Sequence, residues 1–207
     1  MELLTDNEVI TSEVARLFKI QQLHKLDIKR TSAQVRKNKL KSIKTWILDH
    51  KQDIYDALFE DLGKSETEAE VSEIIPVILE ISKAVSQLNN WLRPKKVDPS
   101  LIMLGTKTRI MMEAKGACLI MAPWNYPFNL TLGPLVSAVA AGNTVILKPS
   151  EMSLATSKLI SRLVKELFPE NEAAVLLGGL ELGKELLEQP FDHIFFTGSP
   201  HVGKIVM

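Results

Sequence analysis

The fold of this chain is decided by residues 117–129, ACLIMAPWNYPFN. The stretch opens with a short, uninterrupted apolar run that ends at turn-forming residues, a pattern typical of a buried β-strand. Pro127 biases Tyr126 toward an extended conformation and can occupy the first turn of a helix. Asn125 is therefore predicted to lie where a strand ends and a helix begins.

That position gives Asn125 a possible chemical role. Ligands of open α/β sheets bind at the edge formed by the carboxyl ends of the strands. An asparagine amide at this edge can donate a hydrogen bond to a developing oxyanion. The alternative is a turn asparagine that bonds only its own backbone. The position alone leaves both interpretations open.

Strand-like and helix-like runs alternate after residue 116. The predicted strands cover residues 117–122, 144–147, 173–177 and 193–197, and the predicted helices cover residues 130–141, 153–168, 181–188 and 200 onward. Such alternation predicts a parallel sheet with right-handed crossovers. The fold class is therefore α/β, a doubly wound, Rossmann-like parallel sheet. No Gly-x-Gly-x-x-Gly motif follows any of these strands, so the fold alone does not identify the ligand.

The first hundred residues have a helical pattern. Apolar residues recur at helical spacing from Val35 to Leu62 and again from Val71 to Leu92, with Gly63 in a C-cap position. Pro76 predicts a kink or a helix boundary, and residues 93–96 and 98–99 read as loop. Residues 101–104 and 108–112 flank Gly-Thr-Lys and are predicted to form a β-hairpin. The resulting division is N-terminal helices (1–98), hairpin (99–116) and Rossmann-like domain (117–207).

The composition is that of an ordinary globular protein. The 207 residues are 45% hydrophobic and 24% charged, with 25 acidic and 25 basic side chains. This balance gives no reason to expect nucleic acid or a membrane surface as a partner. The basic run at residues 29–44 is interleaved with apolar residues and reads as the solvated face of a helix.

Other features place limits on the class of protein. The apolar window at residues 130–147 is interrupted by Pro134 and Gly142, which favours a buried helix and strand over a membrane anchor. No secretory signal is evident at the N-terminus, and one cysteine cannot form an internal disulfide. A cytoplasmic protein is therefore expected. No His or Cys pair has the spacing of a zinc site, so no metal is expected.

Four segments in a fixed order resemble the aldehyde dehydrogenase superfamily. They are MAPWNYPF at 121–128, GNTVILKPSE at 142–151, the Gly178-Gly179 pair, and FDHIFFTGS at 191–199. Upstream, DLGK at 61–64 also fits. The likeness covers nearly the whole chain and is closest to the class 3-like branch that acts on fatty or coniferyl aldehydes. Four ordered motifs are far more specific than a lone glycine motif.

The resemblance implies an NAD(P)-dependent oxidation of an aldehyde to a carboxylic acid through a cysteine thiohemiacetal and thioester. Asn125 falls on the position that stabilises the oxyanion. NAD or NADP would be held without the usual glycine fingerprint. The positions that match the cofactor site are Ala122, Pro123, Trp124, Lys148, Ser150, Glu151, Gly179, Phe196, Thr197, Gly198 and Ser199.

Lys148 and Glu151 also have an interpretation that gives them no functional role. A carboxylate beyond a strand end can accept hydrogen bonds from both hydroxyls of a ribose and would repel a 2′-phosphate. Without the resemblance, the two residues read as a solvated glutamate at a helix start beside a surface lysine. The resemblance places both on the adenine ribose. Ser150 or Ser153 is predicted to cap the following helix.

The segment from Gly198 onward is predicted to begin a helix. Ser199 is a good N-cap and Pro200 a good first helical residue, so free N–H groups there suit a pyrophosphate. The resemblance implies that Gly179, or its neighbour Gly178, is the glycine that lets the adenine approach closely. His201 is read as a surface residue.

Cys118 is not the expected nucleophile. It lies inside the strand, where a cysteine is usually an inert apolar residue, and it precedes the Asn motif, whereas the family's nucleophile follows it. The general-base glutamate of the family is also expected after residue 207. The 207 residues alone are therefore expected to be inactive and to lack the catalytic domain.

Two alternatives remain open. One is a semialdehyde dehydrogenase linked to acyl-CoA or acyl phosphate, and the other is a non-catalytic module that binds nucleotide or a protein partner. The expected partners of the intact enzyme are a small aldehyde and, through the hairpin, a second copy in a homodimer.

Overall fold

The computed structural model describes residues 6–99, 101–103 and 105–207. The α-helices of these residues, in chain order, are α1 (Asp6–Lys29), α2 (Ala33–Asp49), α3 (Lys51–Leu62), α4 (Glu66–Ala69), α5 (Ile75–Trp91), α6 (Pro127–Ala141), α7 (Leu154–Leu167), α8 (Leu180–Leu187) and α9 (Pro200–Val206). A π-helical turn, Glu70–Ile74, joins α4 to α5, and a 3₁₀ turn covers Leu101–Met103. None of the helices in the described ranges is long and apolar enough to cross a membrane.

The strands of the same residues form two sheets. They are β1 (Lys95–Val97), β2 (Thr108–Ile110), β3 (Ala117–Met121), β4 (Thr144–Lys148), β5 (Ala173–Val175) and β6 (His193–Phe196). The first two pair antiparallel, and the other four form a parallel sheet in the order β5-β4-β3-β6. The predicted α/β class, with a parallel sheet after residue 116, is confirmed.

The parallel sheet is buried on both faces because its strands alternate between two apolar clusters. Ile120, Val145 and Leu147 face a large cluster that includes residues of α2, α3, α5, α6 and α7. Leu119 and Ile146 face a smaller cluster built with α1 and α8. The N-terminal helices therefore cover the sheet, α1 on one face and α2, α3 and α5 on the other.

Turn chemistry sets several helix ends as the sequence predicts. Gly63 ends α3 in the left-handed region at φ 66°, a conformation that costs glycine little. Pro76 lies in the first turn of α5, directly after the π-helical turn, so the predicted boundary is confirmed. The pattern from Val35 to Leu62 is not one helix, since α2 ends at Asp49 and α3 starts at Lys51.

The hairpin prediction was wrong in its first strand. Leu101–Met103 is a 3₁₀ turn, and the strand that pairs with β2 is Lys95–Val97, in a segment predicted to be loop. Leu104 lies outside the described residues. The ladder consists of three pairs of charged or β-branched residues, such as Lys96 opposite Arg109. Such residues have no apolar alternation from which β1 could be predicted.

Arg36 departs from the predicted solvated face. Its guanidinium is buried and donates to the carbonyls of Ala140 and Ala141 at the end of α6, at 3.2 and 2.8 Å, and to Lys29 at 2.7 Å. The basic residue thus satisfies helix-end carbonyls that have no intrahelical partner. Sequence periodicity identifies the helix but does not reveal this contact.

Candidate active site

The candidate site lies at the carboxyl edge of the parallel sheet. Met121, at the end of β3, is in register with Lys148 on one side and Phe196 on the other. The ladder continues past the strands, because Ala122 N–H donates to the Lys148 carbonyl at 3.2 Å and Thr197 N–H to the Met121 carbonyl at 3.0 Å. Three of the predicted segments therefore meet at one edge.

The turn from β3 to α6 carries Ala122, Pro123, Trp124, Asn125 and Tyr126. Ala122 and Pro123 are half-buried, and the next three residues are exposed. Pro127 and Phe128 are buried and open α6, as predicted. The exposed part of the turn is therefore held between a buried strand end and a buried helix start.

Asn125 is fixed through its backbone. Its carbonyl accepts a hydrogen bond from Lys64 Nζ at 2.9 Å, and the Lys64 ammonium lies 4.1 Å from the centroid of the Tyr126 ring. The Asn125 side-chain amide forms no hydrogen bond with any residue in the described part of the chain. This exposed amide is available to a ligand at the edge of the sheet.

Lys64 is paired with a buried carboxylate, Glu73, at 2.5 Å. Burial raises the pKa of Glu73, against the opposing effects of Lys64 and the Asn129 N–H. Sequence reasoning gave neither residue a role. Lys64 belongs to the DLGK motif, which was the available signal, whereas no pattern distinguished Glu73 from the other acids in its segment.

Lys148 and Glu151 form an ion pair at 3.0 Å beyond β4. Lys148 is buried up to its ammonium, while the Glu151 side chain is 50% exposed. Burial works to raise the pKa of Glu151, but its own backbone N–H and Lys148 outweigh this and the pKa is lowered. Glu151 therefore presents an anionic carboxylate to solvent at neutral pH.

The start of α8 borders the same space. A Cβ built on Gly179 would lie 3.9 Å from Glu151 Oε1, and one built on Gly183 would lie 3.7 Å from Lys148 Cε. Gly179 is the N-cap residue of α8 and makes no side-chain cap. A Cβ on the alternative glycine, Gly178, would instead lie 2.8 Å from Leu182 Cδ2. The structure thus brings Gly179, rather than Gly178, next to Glu151.

Serine side chains were predicted to cap both α7 and α9, and only the cap of α9 forms. Ser199 Oγ accepts from Val202 N–H at 3.3 Å and caps α9, whose first residue is Pro200. Ser153 occupies the N-cap position of α7 as predicted, but neither its side chain nor that of Ser150 accepts an N–H of the helix. The carboxylate of Asp61, at the end of α3, accepts from the Ala155 and Thr156 N–H groups at 3.0 and 2.7 Å. A residue remote in sequence performs this function, so local spacing could not predict it.

Phe196 lies beneath the start of α9. A Cβ on Gly198 would lie 2.4 Å from Phe196 Cζ, so any side chain there would displace the ring. Thr197 is half-buried and Gly198 and Ser199 are exposed, as is His201. The turn therefore presents backbone and small side chains at the edge of the sheet.

Cys118 has the environment of a structural residue. It is 4% exposed within β3, and its thiol lies 3.9 Å from the Gly116 carbonyl oxygen. Burial, reinforced by the nearby Asp192 charge and opposed by Lys115, raises the pKa of the Cys118 thiol to about 12. A thiolate is the nucleophilic form, so Cys118 is unsuited to attack an aldehyde. In the described ranges no group of three His, Cys, Asp or Glu side chains is placed to hold a metal ion.

These features define a doubly wound α/β protein with polar side chains at the carboxyl edge of its parallel sheet, the edge at which open α/β sheets bind ligands. A sequence profile of the Aldehyde dehydrogenase family matches residues 8–207, and the chain belongs to that family. The chain is 45% identical over 171 residues to 4,4'-diaponeurosporen-aldehyde dehydrogenase of Staphylococcus aureus, covering 83% of this chain and 37% of that protein. It is 44% identical over 191 residues to aldehyde dehydrogenase family 3 member B1 of Mus musculus, covering 91% and 41%.

Solved structures agree with this assignment. The substrate-bound state of Staphylococcus aureus AldH superposes with a TM-score of 0.90 at 40% identity, covering 93% of this chain and 42% of that one. Glyceraldehyde-3-phosphate dehydrogenase GapN of Methanocaldococcus jannaschii, complexed with NADP, shares the fold with a TM-score of 0.81 at 23% identity. The similarity to class 3 members is confirmed, and the chain spans less than half the length of these relatives.

Proposed function

We propose that this chain supplies the cofactor-binding sheet and the oxyanion-stabilising asparagine of an NAD(P)-dependent aldehyde dehydrogenase. The observation that carries the proposal is the Asn125 side chain, which is exposed and without a hydrogen-bond partner in the described residues at the carboxyl edge of the sheet. Membership of the aldehyde dehydrogenase family supports the reaction class. The Staphylococcus aureus relative is named for an aldehyde substrate, which agrees with it.

The residues at this edge fit a dinucleotide. Glu151 offers a partly exposed carboxylate for the adenine ribose hydroxyls, with Lys148 beside it and the backbone of Gly179 within reach. Phe196, Thr197, Gly198 and Ser199 present the start of α9, where N–H groups suit a pyrophosphate. Ala122, Pro123, Trp124 and Ser150 complete the proposed contacts.

In the reaction, the thiolate of a cysteine attacks the aldehyde carbon, and the carbonyl oxygen becomes an oxyanion. The Asn125 amide donates a hydrogen bond to that oxygen, and this bond strengthens as the negative charge develops. When bound, NAD(P)⁺ supplies the hydride acceptor. In this proposal, the cysteine and the glutamate that activates water for thioester hydrolysis lie outside these 207 residues.

The test is Asn125→Ala in a full-length aldehyde dehydrogenase that contains this chain. Loss of one oxyanion donor should lower kcat by about 10²–10³-fold, with the KM for NAD changed little. Asn89→Ala, an exposed change on α5, is the matched control. An unchanged kcat for Asn125→Ala would contradict the proposal.

The same enzyme separates the two alternatives. A non-catalytic module would show no aldehyde-dependent turnover at all, whether it binds NAD or only a protein partner. An acyl-CoA- or acyl-phosphate-linked enzyme would release product only when CoA or phosphate is added. Product release with water alone, as a free carboxylic acid, supports the proposed reaction.

A further inference from the structure

A buried ion pair lies beneath the turn that carries Asn125. The side chains of Lys64 and Glu73 are only 8% and 0% exposed, and their charged atoms are 2.5 Å apart. Replacing such a pair by apolar residues is often neutral or stabilising, so its presence is weak evidence for a role in stability alone. Its contacts show what else it does.

Lys64 contacts two successive residues of the turn. Its ammonium donates to the Asn125 carbonyl at 2.9 Å and lies 4.1 Å from the Tyr126 ring centroid. Both residues are exposed, Tyr126 to 41%, and Asn125 makes no other hydrogen bond in the described residues. Lys64 is therefore the main polar anchor of the part of the turn that carries Asn125.

Glu73 holds the other end of the same segment. While Oε1 accepts from Lys64, Oε2 accepts from the backbone N–H of Asn129 in the first turn of α6, at 2.9 Å. The Asn129 side chain in turn donates to the Ser72 carbonyl at 3.1 Å. One carboxylate thus connects the anchor of Asn125 to the helix that follows it.

Glu73 lies in the π-helical turn Glu70–Ile74. Such turns are rare and occur frequently at functional sites. The extra residue per turn changes the direction in which side chains project compared with an α-helix. Here the π-helical segment includes both Ser72 and Glu73, which contact α6.

We propose that Lys64 and Glu73 are positioning residues that orient Asn125 for oxyanion binding. The inference rests on the function proposed above. The Asn125 amide has no side-chain partner of its own in the described residues, so its direction follows from its backbone, which Lys64 and Glu73 fix at both ends. Misplacement by about 1 Å is enough to cost about 10²-fold in rate.

The decisive experiment compares Lys64→Met, Glu73→Gln and the double variant in the enzyme that joins this chain to the rest of the family's length. Lys64→Met leaves a buried, uncompensated carboxylate and should lower the Tm. The double variant removes both charges, so its Tm should recover toward that of the parent. If the pair positions Asn125, kcat of the double variant stays about 10–100-fold low while the KM for NAD changes little.

A purely structural role predicts a different result, in which kcat recovers together with the Tm. That result would overturn the inference. The double variant decides the question even if Lys64→Met does not fold. Lys51→Met with Glu70→Gln is the matched control, because this neighbouring ion pair, at 2.6 Å, joins α3 to the same π-helical turn without contacting Asn125.

A second measurement tests whether the pair acts through Asn125. Adding Asn125→Ala to the double variant should bring kcat down to that of Asn125→Ala alone and no further, because the pair acts only through the amide that this change removes. A full additional loss would contradict the inference, since independent effects multiply. If Asn125→Ala alone leaves kcat unchanged, the proposed function fails; if it lowers kcat and the double variant does not, only the positioning role fails.

Discussion

At the scale of single residues, the proposed cofactor edge contains the ion pair of Lys148 and Glu151. The lysine stem is buried against α8 and its ammonium holds the Glu151 carboxylate, which stays anionic and half exposed. A carboxylate placed on ribose hydroxyls favours NAD, because a 2′-phosphate would meet like charge and replace a hydroxyl donor. The Lys148 ammonium opposes this preference, since it can attract the same phosphate.

We therefore expect Glu151→Gln to change the ratio of NAD to NADP affinity. NAD binding should weaken by about 1–3 kcal/mol, the usual effect of removing a charged hydrogen-bond partner, while NADP binding weakens less or improves. Titration of both nucleotides against parent and variant, in the enzyme that includes this segment, measures the ratio.

Glu13→Gln is the control for that titration. Glu13 forms an ion pair with Arg16 three residues away, at 2.7 Å, but lies on α1. Its change should leave both affinities unaltered. An unchanged ratio in Glu151→Gln would mean that Glu151 is a solvated carboxylate at the start of a helix and nothing more.

The sequence predicts the positions of these residues better than their partners. Asn125, Glu151 and Ser199 could be placed at strand ends because apolar runs and turn formers fix where strands stop. Lys64 and Glu73 could not be assigned a role, since their contacts with Asn125 and Asn129 connect segments about 60 residues apart. Contacts of this kind follow from packing, which a local pattern does not encode.

At the scale of secondary structure, Asp61 links two helices. It occupies the last turn of α3 and accepts two N–H groups at the start of α7, which is otherwise without a side-chain cap. A carboxylate there accepts hydrogen bonds from two otherwise free N–H groups and interacts favourably with the positive end of the helix dipole. The contact therefore holds α3 against the helix that follows β4.

Asp61→Ala should lower the free energy of unfolding by about 1–2 kcal/mol, the range measured for the loss of a helix cap. Denaturant unfolding of parent and variant gives the difference. Asp56→Ala, one and a half turns earlier on the exposed face of α3, should change it far less. Equal effects of the two substitutions would show that the Asp61 contact does not stabilise α7.

Element boundaries show where local signals fail. Pro76, Gly63 and Pro127 mark helix ends correctly because each restricts or permits specific backbone angles. The break between α2 and α3 at His50 has no such residue, and apolar spacing continues across it. The strand Lys95–Val97 was missed because its charged side chains are exposed and carry no alternation.

At the scale of the whole molecule, the antiparallel sheet of β1 and β2 differs from the rest. Every residue of β1 is exposed, and within the described residues neither outer edge of this sheet pairs with another strand. Large apolar side chains close to these strands in sequence are exposed: Ile102 is 97% exposed, Met111 63% and Met112 66%. Unpaired edges with apolar neighbours favour association with another chain.

Charge acts against this association. Lysine on an edge strand discourages pairing, and Lys95, Lys96 and Arg109 lie on the two strands. Two copies brought together here would repel each other at low ionic strength. At 0.1 M salt the repulsion is largely screened between charges more than about 10 Å apart, whereas burial of apolar surface is not weakened by moderate salt.

We therefore expect the chain to self-associate through this sheet as concentration rises, and more strongly at higher salt. Sedimentation velocity over a range of protein and salt concentrations measures the effect. Ile110→Lys with Met112→Lys should shift the equilibrium toward monomer, because it replaces two exposed apolar side chains with like charges. Phe59→Lys with Leu79→Lys, at comparably exposed apolar positions on α3 and α5, controls for the two added charges alone. Monomeric behaviour under all conditions, or an equal shift caused by the control variant, would remove the basis for assigning the homodimer contact to the hairpin.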